Sequence, residues 1–175
     1  MPNAVRQSLR IRAARPGDAN RIAVLAVQVW LHTYATDGVN EEVAQYVLSE
    51  FTPDRYLQSL SDPESNVYVA EYDENLVGMA VVKLGVSCPT GANSAVELKT
   101  LYVQEHHLGH GVGKSLLQVA EAETREQSQC PLWLKVNAKN ARAIAFYARQ
   151  GYTKVGTTYF VLGEGRHENH VLIGR

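Results

Sequence analysis

A glycine-rich segment carries the first chemistry that the sequence suggests. It runs from Leu108 to Ser115 and reads LGHGVGKS. Alternating glycines let backbone N–H groups approach a ligand without obstruction by side chains, and the start of a helix adds a partial positive charge. Both features favour an anion, and a phosphate or pyrophosphate group fits them best.

Two common nucleotide-binding motifs do not fit this segment. A P-loop would use Gly113-Lys114-Ser115, but it needs glycine at position 108, which is Leu108. The dinucleotide fingerprint G-x-G-x-x-G also fails, because the glycines follow a G-x-G-x-G pattern. A plain glycine-rich connection between a strand and a helix is the structural alternative.

Histidine and cysteine supply two further candidate sites. His106, His107 and His110 form an H-H-x-x-H cluster, yet Glu105 is the one acidic neighbour and no cysteine is near. We therefore predict no metal site. Cys88 and Cys130 are too few for a disulfide framework in a chain of 175 residues, and we expect free thiols.

The composition and charge of the chain restrict the class of protein. The net charge is −1, with 45% hydrophobic and 20% charged residues, which gives no indication of nucleic-acid binding. The longest apolar run, Ile22–Val27, is too short to span a bilayer, and residues 1–8 lack an apolar targeting core. We expect one domain over 1–175, with a core over about 9–174, in a cytoplasmic protein without a membrane partner.

The elements that position these residues follow from periodicity. The pattern predicts an α/β fold with the order β, three helices, three strands, helix, strand, helix, two strands. The strands are predicted at 9–13, 67–72, 76–87, 95–103, 132–136, 152–162 and 168–174. The helices are predicted at 19–34 (with Asp18 as N-cap), 40–50, after Thr52-Pro53, 111–127 and 139–150. The helix between 95–103 and 132–136 makes those two strands parallel, and the hairpins make the rest antiparallel.

A second motif lies in residues 136–152. It contains V-x-x-x-N at Val136 to Asn140, A-x-x-F-Y ending at Tyr147, and then Gly151-Tyr152. Together with Gly111-x-Gly113, this order resembles the GNAT family of N-acetyltransferases. The family carries Arg or Gln where this chain has Leu108, which removes one side-chain contact to the pyrophosphate and leaves the backbone contacts.

The resemblance implies the acyl-CoA N-acyltransferase fold: a mixed, mostly antiparallel sheet with one splayed parallel pair and helices on both faces. It implies acetyl-CoA as cosubstrate and transfer of its acetyl group to a primary amine. Tyr147 would protonate, or donate a hydrogen bond to, the departing thiolate. The residues expected to bind acetyl-CoA are Leu101, Tyr102, Val103, Gly109, His110, Gly111, Val112, Gly113, Lys114, Asn137, Asn140 and Tyr147.

A general base is needed because an ammonium cannot attack a thioester. Glu97 is the candidate, since it stands six residues before Val103, as in a glutamate that some members of the family use as base. His106, His107 and His110 are the other candidates, and an exposed strand carboxylate is the structural alternative.

The acceptor is less constrained by the sequence. Trp30-x-x-x-Tyr34, residues 46–51 and the tail 160–163 resemble the spermidine/spermine branch of the family, and Asp37, Glu41, Glu42 and Glu50 would attract a polyamine. A protein N-terminus or lysine is the alternative acceptor, and a non-catalytic acyl-CoA sensor is the alternative function. The final hairpin, about 152–174, leaves an edge strand that suggests a homodimer.

Overall fold

The computed structural model describes residues 8–175. The strands are β1 (Leu9–Ala13), β2 (Ser65–Tyr72), β3 (Asn75–Leu84), β4 (Val96–Val103), β5 (Trp133–Asn137), β6 (Thr153–Leu162) and β7 (Gly165–Ile173). The helices are α1 (Ala19–Tyr34), α2 (Glu41–Glu50), α3 (Pro53–Ser61), α4 (Val112–Ser128) and α5 (Ala141–Arg149). The predicted order of elements is confirmed.

All seven strands form one sheet with the order β1-β2-β3-β4-β5-β7-β6. Neighbouring strands are antiparallel except for β4 and β5, which are parallel. The mixed, mostly antiparallel sheet is therefore confirmed, and its parallel pair lies at the centre.

The parallel pair separates almost as soon as it forms. Within residues 8–175, β4 and β5 share a single ladder position, Glu97 opposite Trp133. Two residues further along, β4 carries a bulge: Leu98 pairs with Val82 and Thr100 with Val81, so Lys99 has no partner on β3. A bulge bends its strand, and this bend directs the rest of β4 away from β5.

Helices cover both faces, as expected. On one face α4 and α5 pack over a core that includes Leu98, Leu116, Leu134 and Tyr147. On the other face α1 and α3 bury Ile22, Val69, Met79 and Tyr56 against the sheet. The widening between β4 and β5 therefore opens between two packed layers.

Several predicted boundaries move by a few residues. β3 ends at Leu84 rather than at 87, because Gly85 takes a left-handed conformation (φ 72°). β7 starts at Gly165 rather than at 168, since the hairpin turns over two residues, Gly163 and Glu164. Helix α5 starts at Ala141 because the Asn140 side chain caps it by accepting a hydrogen bond from the Ala143 N–H.

Asp18 precedes α1 as predicted, but its side chain does not cap the helix. Its carboxylate accepts hydrogen bonds from the Arg15 N–H (2.7 Å) and from the guanidinium of Arg12 (2.7 and 2.9 Å). Arg12 also pairs with the buried Glu71 of β2. The group ties β1 and β2 to the start of α1, which is a long-range role that a local capping pattern does not predict.

Residues 8–175 offer neither a membrane-spanning helix nor a cluster of metal ligands. None of the helices is both long and apolar enough to cross a membrane. No three His, Cys, Asp or Glu side chains of this part of the chain are grouped so as to hold a metal ion.

Candidate active site

The gap between β4 and β5 is a cavity of about 520 Å³, which we call the donor cavity. One wall is β4 from Leu98 to Val103, and the other is Lys135 and Val136 of β5. Because β4 pairs with β5 only at Glu97 in the described part of the chain, backbone polar groups of the later residues have no strand opposite them. Such an open edge can pair with an extended ligand.

The glycine-rich segment closes one end of the donor cavity. Gly109 and Gly111 have φ values of 78° and 82°, where glycine is strongly favoured. A Cβ at either position would meet no atom within 4 Å, so the space beside the backbone is open. Gly111 is the N-cap of α4 and supplies no side chain for capping. The first residues of α4 line the cavity, and an anion bound there would satisfy their free amides.

The charged side chains that line the donor cavity also favour an anionic ligand. The described residues that line the donor cavity include no Asp or Glu. They include five cationic side chains, namely Lys99, Lys114, Lys135, Arg142 and Arg149. A cleft lined by one sign of charge raises the local concentration of oppositely charged ligands. The cavity therefore suits a long ligand with several phosphate charges.

Tyr147 lies on α5 and reaches the donor cavity from the α4 face of the sheet. The residue is 8% exposed, and it packs against Phe146 and Tyr152. Burial raises the pKa of its hydroxyl above the usual value for tyrosine. The hydroxyl therefore stays protonated at neutral pH and can donate a hydrogen bond into the cavity.

Most of the residues predicted to bind acetyl-CoA line the donor cavity. They are Leu101, Tyr102, Val103, Gly109, Gly111, Val112, Gly113, Lys114, Asn140 and Tyr147. Leu108 lines the same cavity. His110 does not line it, and its Nδ1 lies 3.0 Å from the Leu108 carbonyl oxygen.

Asn137 at the end of β5 and Asn140 after it both use the side-chain oxygen in a hydrogen bond to the backbone. Asn140 accepts a hydrogen bond from the Ala143 N–H at 3.0 Å, so its amide NH₂ is the group left for a ligand. Asn137 accepts a hydrogen bond from the Lys139 N–H at 2.9 Å. Asn137 lines a second cavity rather than the donor cavity.

Glu97 is placed next to the donor cavity and lines neither cavity. It is 7% exposed, and its Oε1 lies 3.1 Å from the ammonium of Lys135. Lys135 does line the donor cavity. A proton from a ligand would therefore have to reach Glu97 by way of water or of Lys135.

The second cavity has a volume of about 780 Å³, and we call it the acceptor cavity. Aromatic side chains form much of its wall: Trp30 stacks near Tyr34 and Tyr46, and Tyr46 meets Phe160 of β6 edge to face. The two cavities adjoin, because they share lining residues. These are Thr33, Tyr34, Lys99, Tyr102, Asn140 and Arg142.

Sequence reasoning did not assign a role to several of these shared residues. Tyr34 belongs only to the Trp30-x-x-x-Tyr34 spacing in the sequence, and burial raises the pKa of its hydroxyl. Lys99 reaches both cavities from the bulge in β4. The bulge arises from the pairing of β4 with β3, and no local pattern around Lys99 signals it. Arg142 could have been suspected, since it falls inside the A-x-x-F-Y helix.

Known proteins resemble this chain over almost its full length. The model of the Acetyltransferase (GNAT) family matches residues 19–152. An uncharacterized N-acetyltransferase of Mycobacterium tuberculosis is 28% identical over 156 residues, which is 89% of this chain and 96% of the relative.

Two further comparisons come from Thermoplasma acidophilum. Its spermidine N(1)-acetyltransferase is 25% identical over 149 residues, covering 83% of this chain and 88% of the relative. The crystal structure of a PaiA N-acetyltransferase in complex with coenzyme A superposes with a TM-score of 0.78 and 21% identity, over 96% of this chain and 99% of that one.

Proposed function

Since the chain belongs to the GNAT family of acetyltransferases and is an acetyl-CoA-dependent N-acetyltransferase, we propose that its acceptor is the primary amine of a small molecule. The amine attacks the acetyl carbonyl directly while both substrates are bound. One observation carries this proposal: the donor and acceptor cavities adjoin and share Lys99 and Tyr102. Direct attack needs both reactants in place at once, and adjoining cavities provide that arrangement.

In this proposal the glycine-rich segment binds the pyrophosphate of acetyl-CoA. The amides of Val112, Gly113 and Lys114 donate to its oxygens, and Gly109 and Gly111 leave room for them. Backbone contacts do not depend on the residue at 108, so Leu108 is tolerated. The cationic lining of the cavity adds attraction for the phosphates.

The open edge of β4 takes the pantetheine arm. Backbone groups near Leu101, Tyr102 and Val103 pair with its amides as a neighbouring strand would. One N–H of β4 polarises the acetyl carbonyl and stabilises the negative charge that develops on its oxygen. The amide NH₂ of Asn140, which its capping role leaves available, donates to the arm from the opposite side.

Tyr147 assists the departure of coenzyme A. As the C–S bond breaks, the sulfur takes the electron pair and becomes a thiolate, and the Tyr147 hydroxyl donates a hydrogen bond to it. A thiol has a pKa of about 8.5, well below that of tyrosine, and burial raises the Tyr147 pKa further. Stabilisation by hydrogen bonding is therefore favoured over complete proton transfer, and the thiolate takes its proton from solvent.

Glu97 as general base stays a prediction. Its carboxylate lies behind Lys135, so the proton of the attacking amine would travel through a bridging water. Like charges nearby also help, because the ammonium of Lys99 disfavours the protonated form of an amine bound beside it. Both effects supply the neutral nucleophile that the reaction needs.

The polyamine hypothesis meets mixed support. A relative that acts on spermidine is 25% identical. Of the four carboxylates that suggested a polycation, Asp37 lines the acceptor cavity, whereas Glu41, Glu42 and Glu50 do not. Glu50 is paired with Arg55 at 3.2 Å. We therefore keep spermidine as one arm of the test rather than as the named acceptor.

The test separates enzyme from sensor. We expect acetyl-CoA to raise the unfolding temperature, since a ligand that binds only the folded state stabilises it, and we expect ATP with Mg²⁺ to have no effect. Release of free thiol is then followed with a panel of amines. Binding without thiol release from any amine would favour a non-catalytic sensor, and the absence of a shift at millimolar acetyl-CoA would refute the proposal.

We also keep the homodimer as a proposal. Strand β6 is the outer strand of the sheet, and it exposes Val155, Tyr159 and Val161. An exposed edge with apolar side chains favours pairing with another strand. Light scattering after gel filtration gives the mass directly, and a mass near 19 kDa at micromolar concentration would exclude the dimer.

A further inference from the structure

The charges of the acceptor cavity point to the chemistry of its ligand. Lys99, Lys139 and Arg142 line it, and Asp37 is the one carboxylate among its described lining residues. None of these three cations forms an ion pair with another residue between 8 and 175. The lining of the cavity therefore carries excess positive charge, of which Asp37 offsets one unit.

Carboxylates on neighbouring elements do not line the acceptor cavity. Glu105 lies 3.2 Å from His32, and Glu168 lies 3.6 Å from His170. Glu41 accepts a hydrogen bond from Gln45 on the surface of α2, and Glu42 packs against Gly163 in the turn between β6 and β7. None of these four carboxylates lines the cavity, so the charge of the lining itself stays positive.

Part of that charge belongs to the donor side. Lys99 and Arg142 line both cavities, so either can also contact acetyl-CoA. Lys139 lines the acceptor cavity and not the donor cavity. A substitution of Lys139 should therefore affect binding of the acceptor and not of acetyl-CoA. For that reason Lys139 is the residue to change in a test of the acceptor's charge.

We infer that the acceptor carries an anionic oxygen group, a carboxylate or a phosphonate, in addition to its amine. This inference rests on the proposed function. The anionic group binds Lys139 and Arg142, whose guanidinium suits two-oxygen ligands. The aromatic wall of Trp30, Tyr46 and Phe160 packs against the apolar body of the molecule.

The same arrangement explains how the amine becomes reactive. When Lys139 binds the anionic group, the amine at the other end of the acceptor extends toward the donor cavity. Lys99 lies there, because it lines both cavities. A cation beside the amine lowers the pKa of that amine. A polycation has no anionic group to bind Lys139, and its remaining positive charges would be repelled by Lys99, Lys139 and Arg142.

Matched acceptor pairs test the inference. β-Alanine and 3-aminopropylphosphonate are compared with propylamine, phenylalanine with 2-phenylethylamine, and spermidine serves as the polycation. We expect kcat/KM to be at least about tenfold higher for the anionic member of a pair, a difference that falls as ionic strength rises. A preference for spermidine or for the plain amines would overturn the inference.

Variants identify the side chain responsible. We expect Lys139→Glu to remove the preference for the anionic member, and Lys139→Met to reduce it. Lys154→Met on the exposed face of β6, outside both cavities, is the control and should leave the preference unchanged. A preference that survives Lys139→Glu would refute the assignment to this cavity.

The outcomes also separate this inference from the proposed function. Thiol release with several amines but no dependence on an anionic group would contradict the inference and leave the acetyltransferase activity in place. No thiol release with any amine, despite a thermal shift with acetyl-CoA, would contradict both.

Discussion

Lys135 places its ammonium 3.1 Å from the carboxylate of Glu97, beside the position where β4 and β5 part. Glu97 is opposite Trp133 in the ladder, and Lys135 is two residues further along β5, on the same side of the sheet. The pair therefore sits where the sheet opens into the donor cavity. It links the predicted base to a side chain that lines the cavity.

The first prediction concerns Glu97→Gln. If Glu97 takes the proton of the amine, kcat/KM falls by about 10²-fold near neutral pH. The loss shrinks at high pH, because there the amine is already neutral. The measurement is the pH profile of thiol release from acetyl-CoA with one reactive amine.

Lys135→Met is the matched comparison for Glu97→Gln. It removes the ion pair but keeps the carboxylate, so kcat/KM should fall less than in Glu97→Gln if the carboxylate is the base. Equal losses in both variants, independent of pH, would show instead that the pair only shapes the end of the cavity.

Tyr147→Phe tests stabilisation of the leaving group. A hydrogen bond to a charged group contributes about 1.5–3 kcal/mol, so we expect kcat to fall by roughly 10- to 100-fold. The KM for acetyl-CoA should change little, because the thiolate exists only after bond breaking begins.

Tyr152→Phe provides the control for Tyr147→Phe. Its hydroxyl donates a hydrogen bond to Glu121 at 2.8 Å, outside both cavities, so the variant should lose stability and keep its kcat. Unchanged turnover by Tyr147→Phe would remove Tyr147 from the mechanism.

Gly111→Ala tests the pyrophosphate site. The left-handed φ costs an alanine about 1–2 kcal/mol, and relaxation of the loop would turn amides away from the phosphates. We expect the KM for acetyl-CoA to rise by about tenfold or more, since each charge-assisted hydrogen bond contributes at least that factor. Steady-state kinetics at saturating amine give the value.

Gly91→Ala is a close match for Gly111→Ala. Gly91 has φ 79°, a Cβ there would meet nothing within 4 Å, and the residue lies outside both cavities. It should show a similar loss of stability with an unchanged KM. If both variants raise the KM alike, the effect is general strain and not loss of the anion site.

Stability should depend on pH through the ion pairs of Arg12. Its guanidinium holds the pKa values of Asp18 and Glu71 below their usual range. Carboxylates with a depressed folded pKa stabilise the protein above their unfolded pKa, about 4, and that stability is lost as the pH falls further. Urea unfolding at pH 7, 4 and 3 should show this decline.

Asp18→Asn tests whether the Asp18 carboxylate causes the loss of stability in acid. Asp18 is 2% exposed, and removing one partner of a buried pair costs about 3–5 kcal/mol. We expect a loss of that order at pH 7 and a weaker dependence on acid. Glu50→Gln breaks an exposed pair with Arg55 and should cost under about 1 kcal/mol. Equal effects would contradict the assignment.

Local patterns in the sequence were sufficient for the order of the elements, and the resemblance to the family indicated much of the donor site. Alternation and 3.6-residue periodicity depend on which face of each segment is buried, so the order of strands and helices could be predicted. The Gly111-x-Gly113 segment lies at the start of α4, and Asn140 and Tyr147 are separated by about two turns of α5. These residues line the donor cavity, and it was the resemblance to the family, carried by their spacing, that predicted a place for them beside acetyl-CoA.

Only the tertiary structure decided how the two cavities adjoin. The bulge at Lys99 depends on the register of β4 against β3, and the pairing of Glu97 with Lys135 joins strands separated by a helix. The acceptor cavity collects side chains from α1, α2, α5 and β6. Such contacts join residues that are far apart in the chain, so no local sequence pattern predicts them. The sequence by itself therefore determined the family and the donor, whereas packing decided the charge of the acceptor cavity.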